Sequence, residues 1–164
     1  MRVSSIGSAI LSLTLLGSLA ACSSTEQTIA ENYAAALAEV GDTMMQEGSK
    51  VETLFAIQAQ PLSWTEEQRD MWNGIETAIT EAAATLESTP PPAELTDANT
   101  ALIAAIKELG GGMQDLNAVL DNPTTATPEQ LAAIMERVSK AEEAINEPLA
   151  TIEAFYEEHY GDQE

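Results

Sequence analysis

The sequence predicts an all-α fold, an antiparallel up-down-up-down four-helix bundle. Apolar residues recur at steps of three, four or seven along four segments, prolines stand in the turns that separate them, and no segment alternates apolar and polar residues as a half-buried strand does. The helices are expected near 26–59, 63–88, 94–121 and 128–160. Connections of a few residues force consecutive helices to run antiparallel, which makes the bundle the natural arrangement.

The first segment carries one apolar stripe that is interrupted by glycine. Gly41 and Gly48 lie within it, and each glycine weakens a helix by up to about 1 kcal/mol relative to alanine. A three-helix core, with the first segment broken at Gly48, is therefore an alternative to the full bundle. The stripe consists of Ile29, Tyr33, Leu37, Val40, Met44, Val51, Leu54 and Ile57.

The second segment has a clear start and a clear end. Ser63 to Glu66 has the form of a capping box, in which the serine oxygen and the glutamate each satisfy a free backbone amide. Three consecutive prolines, Pro90 to Pro92, end the helix because they cannot continue its hydrogen bonds. Its inner face is expected to consist of Trp72, Ile75, Ile79, Ala82 and Leu86.

The third and fourth segments are separated by a turn at Asp121-Asn122-Pro123. Thr127 to Gln130 forms a second capping box, with Pro128 at the first helical position, where its missing N–H costs nothing. Pro148 lies inside the fourth segment and is expected to kink it. The two apolar stripes run from Leu95 to Leu120 and from Leu131 to Phe155.

The amino terminus has the pattern of an export signal. Arg2 precedes an apolar run from Ile6 to Ala21, which is shorter than the roughly 20 apolar residues of a membrane-spanning helix. The run ends in Leu19-Ala20-Ala21-Cys22, which resembles the bacterial lipobox. That resemblance implies recognition of Leu19, Ala20 and Ala21 by the lipoprotein signal peptidase and attachment of acyl chains such as palmitate to Cys22. An ordinary signal peptide cut near Ala21 is the alternative.

These features divide the chain into three parts. Residues 1–21 are predicted to be the lipoprotein signal peptide, 22–27 a tether, and 28–164 an acidic helical bundle domain. Cys22 is the only cysteine, so the bundle is expected to contain no disulfide and to depend on packing. Lipid on Cys22 would place the protein outside the cytoplasm, on the cell membrane or the outer membrane.

The charge excludes one large class of partners. The chain has 27 acidic and 6 basic residues, a formal net charge of −21, which repels nucleic acid. The acidic surface would suit a basic envelope protein, although solubility is the simpler explanation.

No catalytic constellation is visible, and the chain is predicted not to be an enzyme and to carry no cofactor or metal. His159 is the only histidine, and it lacks the Glu-x-x-His spacing of carboxylate-bridged metal bundles because Tyr156 stands three residues before it. The sequence favours a solvated surface imidazole.

Two groups of residues are candidate sites. Gly48, Gly74 and Gly110 to Gly112 are expected at similar heights in the bundle, near Met71, Trp72, Met113 and Met135. Three interpretations of that layer are open. It could be an apolar pocket or a thioether site for Cu(I). The simpler interpretation is that the methionines fill gaps beside closely packed helices. Trp64 is expected to be partly exposed and is the candidate anchor for a protein partner.

The sequence therefore predicts a membrane-anchored envelope lipoprotein, a non-enzymatic bundle that binds another protein or has a structural role. The alternative is a small-ligand or metal-binding bundle with an interior pocket near Met71, Met113 and Met135.

Overall fold

The computed structural model describes residues 25–57 and 61–161. Within these ranges the chain forms four α-helices and two short 3-10 helices and contains no strand, which confirms the predicted all-α class. The predicted signal, the lipobox and residues 22–24 of the predicted tether lie outside the described residues. The α-helices are α1 (Thr25–Ile57), α2 (Glu66–Ser88), α3 (Thr96–Asp121) and α4 (Pro128–Tyr160), and the 3-10 helices are Pro61–Ser63 and Ala93–Leu95.

The predicted start of α2 at Ser63 is wrong by two to three residues. The Trp64 N–H donates to the Pro61 carbonyl at 3.0 Å, which holds Pro61–Ser63 in a separate 3-10 turn. Thr65 is the cap instead: its hydroxyl accepts from the Gln68 N–H at 3.3 Å, and the Gln68 side chain accepts from the Thr65 N–H at 2.8 Å.

The predicted cap of α4 is confirmed. The Thr127 hydroxyl accepts from the Gln130 N–H at 3.2 Å, the Gln130 side chain accepts from the Thr127 N–H at 3.0 Å, and Pro128 occupies the first turn. α4 continues on both sides of the buried Pro148, and α1 continues through Gly41 and Gly48. A first segment broken at Gly48 is therefore wrong.

Each helix packs closely on the next one in the chain. α1 packs on α2, α2 on α3 and α3 on α4. Arg69, near the start of α2, donates to the carbonyl of Leu120, near the end of α3, at 3.0 Å. Glu87, near the end of α2, forms an ion pair with Lys107 at 2.5 Å.

α1 and α4 meet along a looser line, which we call the α1–α4 seam. Within the described residues, few backbone positions of α1 lie close to α4, whereas many lie close together in the pairs α1–α2, α2–α3 and α3–α4. The seam is joined where the Tyr156 hydroxyl of α4 donates to the Ala30 carbonyl of α1 at 2.7 Å. Nearby in α1, the buried Tyr33 hydroxyl donates to Asn99 Oδ1 of α3 at 2.9 Å. Farther along, the space between α1 and α4 remains partly open.

Candidate functional site

Part of this open space is a small cleft with walls from all four helices, which we call the Glu47 cleft. It has a free volume of about 40 Å³. Two carboxylates, Glu47 of α1 and Glu142 of α4, line it, and the other wall residues are Gly48 and apolar side chains. Among the described residues, no lysine or arginine lines it. The apolar walls include Met44, Trp72, Ile75 and Met113.

Glu47 is the unusual residue of this cleft. It is only 5% exposed. Its Oε1 pairs with the partly exposed Lys50 at 2.6 Å, but its Oε2 is buried and has no hydrogen-bond partner among the described residues. A buried charged oxygen without a partner costs free energy, because it loses its hydration and gains nothing in return. Glu47 also borders a shallow surface groove between α1 and α2.

Glu142 faces the same cleft from α4. Burial raises the pKa of its carboxyl, and the neighbouring charge of Glu143 raises it further. The cleft thus carries two acidic groups in an apolar surrounding: Glu47 is paired through Oε1 with Lys50, outside the wall, and Glu142 has no basic residue among the described wall residues. Such an arrangement attracts a cation more strongly than the same groups would in water, because the local dielectric constant is lower.

A second space, the apolar chamber, lies beside the first along the seam. It has a free volume of about 30 Å³ and is lined by residues of α1, α3 and α4. Met44 is a wall of both spaces. Among the described residues that line it, Glu153 is the only acidic one, and burial, followed by the charge of Glu157, raises the pKa of that carboxyl. The other walls are apolar or glycine, among them Leu37, Gly41, Ile106 and Ile152.

The predicted methionine layer is only partly assembled. Trp72, Met113 and Gly48 line the Glu47 cleft as expected. Met71 is 37% exposed and Met135 is half-buried, and neither lines the cleft. Met113 therefore lines the cleft without Met71 or Met135, so the cleft gives no support to a thioether site made of these three residues.

The cleft residues missing from the predicted site include both carboxylates, Glu47 and Glu142, and Met44. A signal for Glu47 exists in the sequence, because the apolar stripe of α1 steps seven residues from Met44 to Val51. The positions between them on that face, three and four residues after Met44, are Glu47 and Gly48. An acidic residue in the middle of an apolar stripe is a stronger indication of a site than the methionines were.

The expected exposure of Trp64 is also wrong. The residue is only 4% exposed, because its ring packs between Phe55, with ring centroids 5.5 Å apart, and Trp72, at 5.4 Å. Trp64 therefore belongs to an aromatic cluster next to the Glu47 cleft and does not present a free surface for a partner.

The structure gives no support to a chemical role for His159. The residue is exposed, and its ring stacks on Phe155 with centroids 4.4 Å apart. In the described part of the chain, no three His, Cys, Asp or Glu side chains are grouped in a way that would hold a metal ion. No helix there combines the length and the apolar character needed to cross a membrane.

No protein-family model, curated protein or solved structure matches this chain. A proposal for its function therefore depends on the sequence and on the geometry of the site.

Proposed function

We propose that this chain is an exported, lipid-anchored binding protein of the bacterial cell envelope, and that it holds a small ligand in the Glu47 cleft without acting as an enzyme. The observation that carries the binding role is the buried Oε2 of Glu47, which lacks a partner in a cleft with apolar walls. A ligand that supplies a hydrogen-bond donor would remove the cost of that buried oxygen.

The proposed architecture is the antiparallel up-down-up-down four-helix bundle. It is supported by the pairing of the start of α2 with the end of α3, through Arg69 and Leu120, and by the short turns between the helices. In this arrangement α1 and α4 are neighbours around the bundle, and the α1–α4 seam is where it opens.

The proposed anchor is the lipid on Cys22, supported by the likeness of Leu19 to Cys22 to a lipobox. Only Ser23 and Ser24 separate Cys22 from the start of α1 at Thr25, and they span less than about 10 Å even when extended. Glu47 lies 22 positions after Thr25 in the same helix, or about 33 Å along its axis at 1.5 Å per residue. The cleft would therefore stand clear of the head groups while the whole domain stays at the membrane surface.

A basic envelope protein bound to the acidic surface is the second candidate function. The formal charge of −21 favours it, because complementary charge speeds the association of proteins. The burial of Trp64 weakens this second candidate, because Trp64 was the residue expected to anchor the partner.

The test uses the full-length chain, released from its own membranes in mild detergent and examined by native mass spectrometry. We expect a diacylated or triacylated amino terminus and, at gentle activation, an additional low-mass species that dissociates without breaking covalent bonds. A protein free of small molecules that co-isolates with a stoichiometric basic partner would contradict the ligand-binding role and support the second candidate.

The same preparation tests the anchor. We expect Cys22→Ser to abolish labelling by an alkyne analogue of palmitate and to leave the signal segment attached, because the thiol is the site of acylation that precedes cleavage by the lipoprotein signal peptidase. Ser23→Ala is the matched control and should remain labelled. Unlabelled wild-type protein would contradict the lipid anchor but would leave the cleft's binding role intact.

A further inference from the structure

We propose that the ligand of the Glu47 cleft is a primary alkylammonium ion, with its ammonium group at the carboxylates of Glu47 and Glu142 and its apolar chain against Trp72 and Met113. This inference rests on the proposed binding function and names the chemical class of the ligand.

The carboxylates select the charge and the hydrogen-bonding group. The buried Oε2 of Glu47 needs a donor, and the Glu142 carboxyl lines the same cleft. A primary ammonium carries one positive charge and three N–H donors, so it can serve both carboxylates, whereas a quaternary ammonium has no donor to offer. Hydrogen bonds between ionised groups are roughly twice as strong as neutral ones.

The rest of the cleft argues against an inorganic cation. Calcium takes six to eight oxygen ligands, and magnesium needs about six in a near-octahedral arrangement. Beyond Glu47 and Glu142, the described side chains that line the cleft are apolar and provide no further oxygen. The apolar walls suit an organic cation, whose hydrocarbon part they remove from water.

The dimensions select a narrow chain. A free volume of about 40 Å³ is well below the roughly 150 Å³ of a cavity that holds benzene, so it accommodates the ammonium group and the first carbons of a narrow chain and excludes a ring system. Met44 separates this space from the apolar chamber, which adds about 30 Å³. Because methionine side chains are flexible and adapt to irregular space, a longer chain can displace the Met44 side chain and continue along the seam.

Isothermal titration calorimetry with n-butylammonium, n-hexylammonium and n-octylammonium chloride tests the proposal on the full-length protein in detergent. We expect affinity to rise by about fourfold for each methylene that becomes buried. Sodium octanoate has the same apolar chain with the opposite charge and should not bind measurably. Equal binding of octanoate and n-octylammonium would overturn the proposal, because the carboxylates would then have no part in recognition.

Charge variants place the ligand in this cleft. We expect Glu47→Gln and Glu142→Gln each to weaken n-octylammonium binding at least tenfold. Glu81→Gln is the matched control, because Glu81 borders the neighbouring α1–α2 groove and does not line the cleft. Circular dichroism melting confirms that each variant is folded. A loss of affinity in Glu81→Gln with none in Glu47→Gln would move the site to that groove and overturn the proposal.

A pair of glycines provides a steric test. A Cβ added at Gly48 or at Gly74 meets no atom within 4 Å, so the first atom of a side chain fits at either position without a clash. Only Gly48 lines the cleft. We expect Gly48→Leu to abolish n-octylammonium binding and Gly74→Leu to preserve it. Unchanged binding in a folded Gly48→Leu variant would overturn the proposal.

Failure of this inference is distinguishable from failure of the proposed function. If the native protein retains a low-mass species that is not an amine, and alkylammonium ions do not displace it, the ligand class is wrong but the binding role stands. If no low-mass species is retained and no alkylammonium ion binds, both are wrong.

Discussion

Glu142 shows how a single residue couples the stability of this protein to pH. Its side chain lines a cleft whose α2 and α3 walls are apolar, Glu47 lies on the α1 wall, and Glu143 is its immediate neighbour. Burial and the nearby charge raise the pKa of Glu142 in the folded protein above its value in the unfolded chain. Ionisation of Glu142 therefore opposes folding. This cost is absent below the unfolded pKa and is fully present above the raised folded pKa, so stability falls as pH rises through that window.

We expect Glu142→Gln to stabilise the ligand-free protein at pH 7. The gain should be at most about 1 kcal/mol, because solvent screens a partly exposed carboxyl, and this corresponds to a rise in Tm of a few degrees. Thermal melts between pH 4 and pH 7 measure it, with the exposed Glu147→Gln as control. The difference from wild type should close as pH falls through the carboxyl range. A variant less stable than wild type at pH 7 would contradict this interpretation.

At the scale of the helices, α3 and α4 approach each other closely at Gly112. A Cβ added at Gly112 would lie 2.8 Å from Val138 Cγ2, closer than such atoms pack. A Cβ at Gly110 would meet Thr80 Oγ1 of α2 at 3.6 Å, an ordinary contact. Arg137, next to Val138, also bridges the two helices through ion pairs with Glu108, at 2.6 Å, and with Asp115.

Alanine at these two glycines should therefore have opposite effects. Gly110→Ala should stabilise the fold by up to about 1 kcal/mol, because alanine favours the helix. Gly112→Ala should destabilise it by about 1 kcal/mol or more, since overpacking costs typically 1–3 kcal/mol and exceeds the gain in helix propensity. Urea unfolding measures both. Equal stabilisation by the two substitutions would show that α3 and α4 separate at no cost.

The sequence predicted the helices better than it predicted their ends. The Thr127 cap was predictable because a proline, a capping threonine and a glutamine coincide there. The start of α2 was not, because Ser63 and Thr65 both offer a capping hydroxyl, and the choice depends on the turn from Pro61 to Ser63. The continuation of α1 through Gly48 was also not predictable from the sequence, since helix propensity is a weak guide when packing supports the helix.

For the whole molecule, the fold class followed from four apolar stripes, but the site did not. The Glu47 cleft exists because α1 and α4 are joined near Tyr156 and remain apart farther along, and no local pattern specifies which pair of helices stays loose. Trp64 illustrates the same limit. Its place next to a helix start suggested exposure, whereas its burial depends on Phe55 and Trp72, which lie in other elements.

The most direct test of the central claim, that the α1–α4 seam is a binding site for an alkylammonium ion, is a titration followed by NMR of ¹³C-methyl-labelled methionine. Met44 and Met113 are buried walls of the Glu47 cleft, whereas Met45 and Met71 are exposed and line neither the cleft nor the apolar chamber. On addition of n-octylammonium, the methyl resonances of Met44 and Met113 should shift saturably while those of Met45 and Met71 stay in place. Unshifted Met44 and Met113 resonances, or shifts confined to Met45 and Met71, would contradict it.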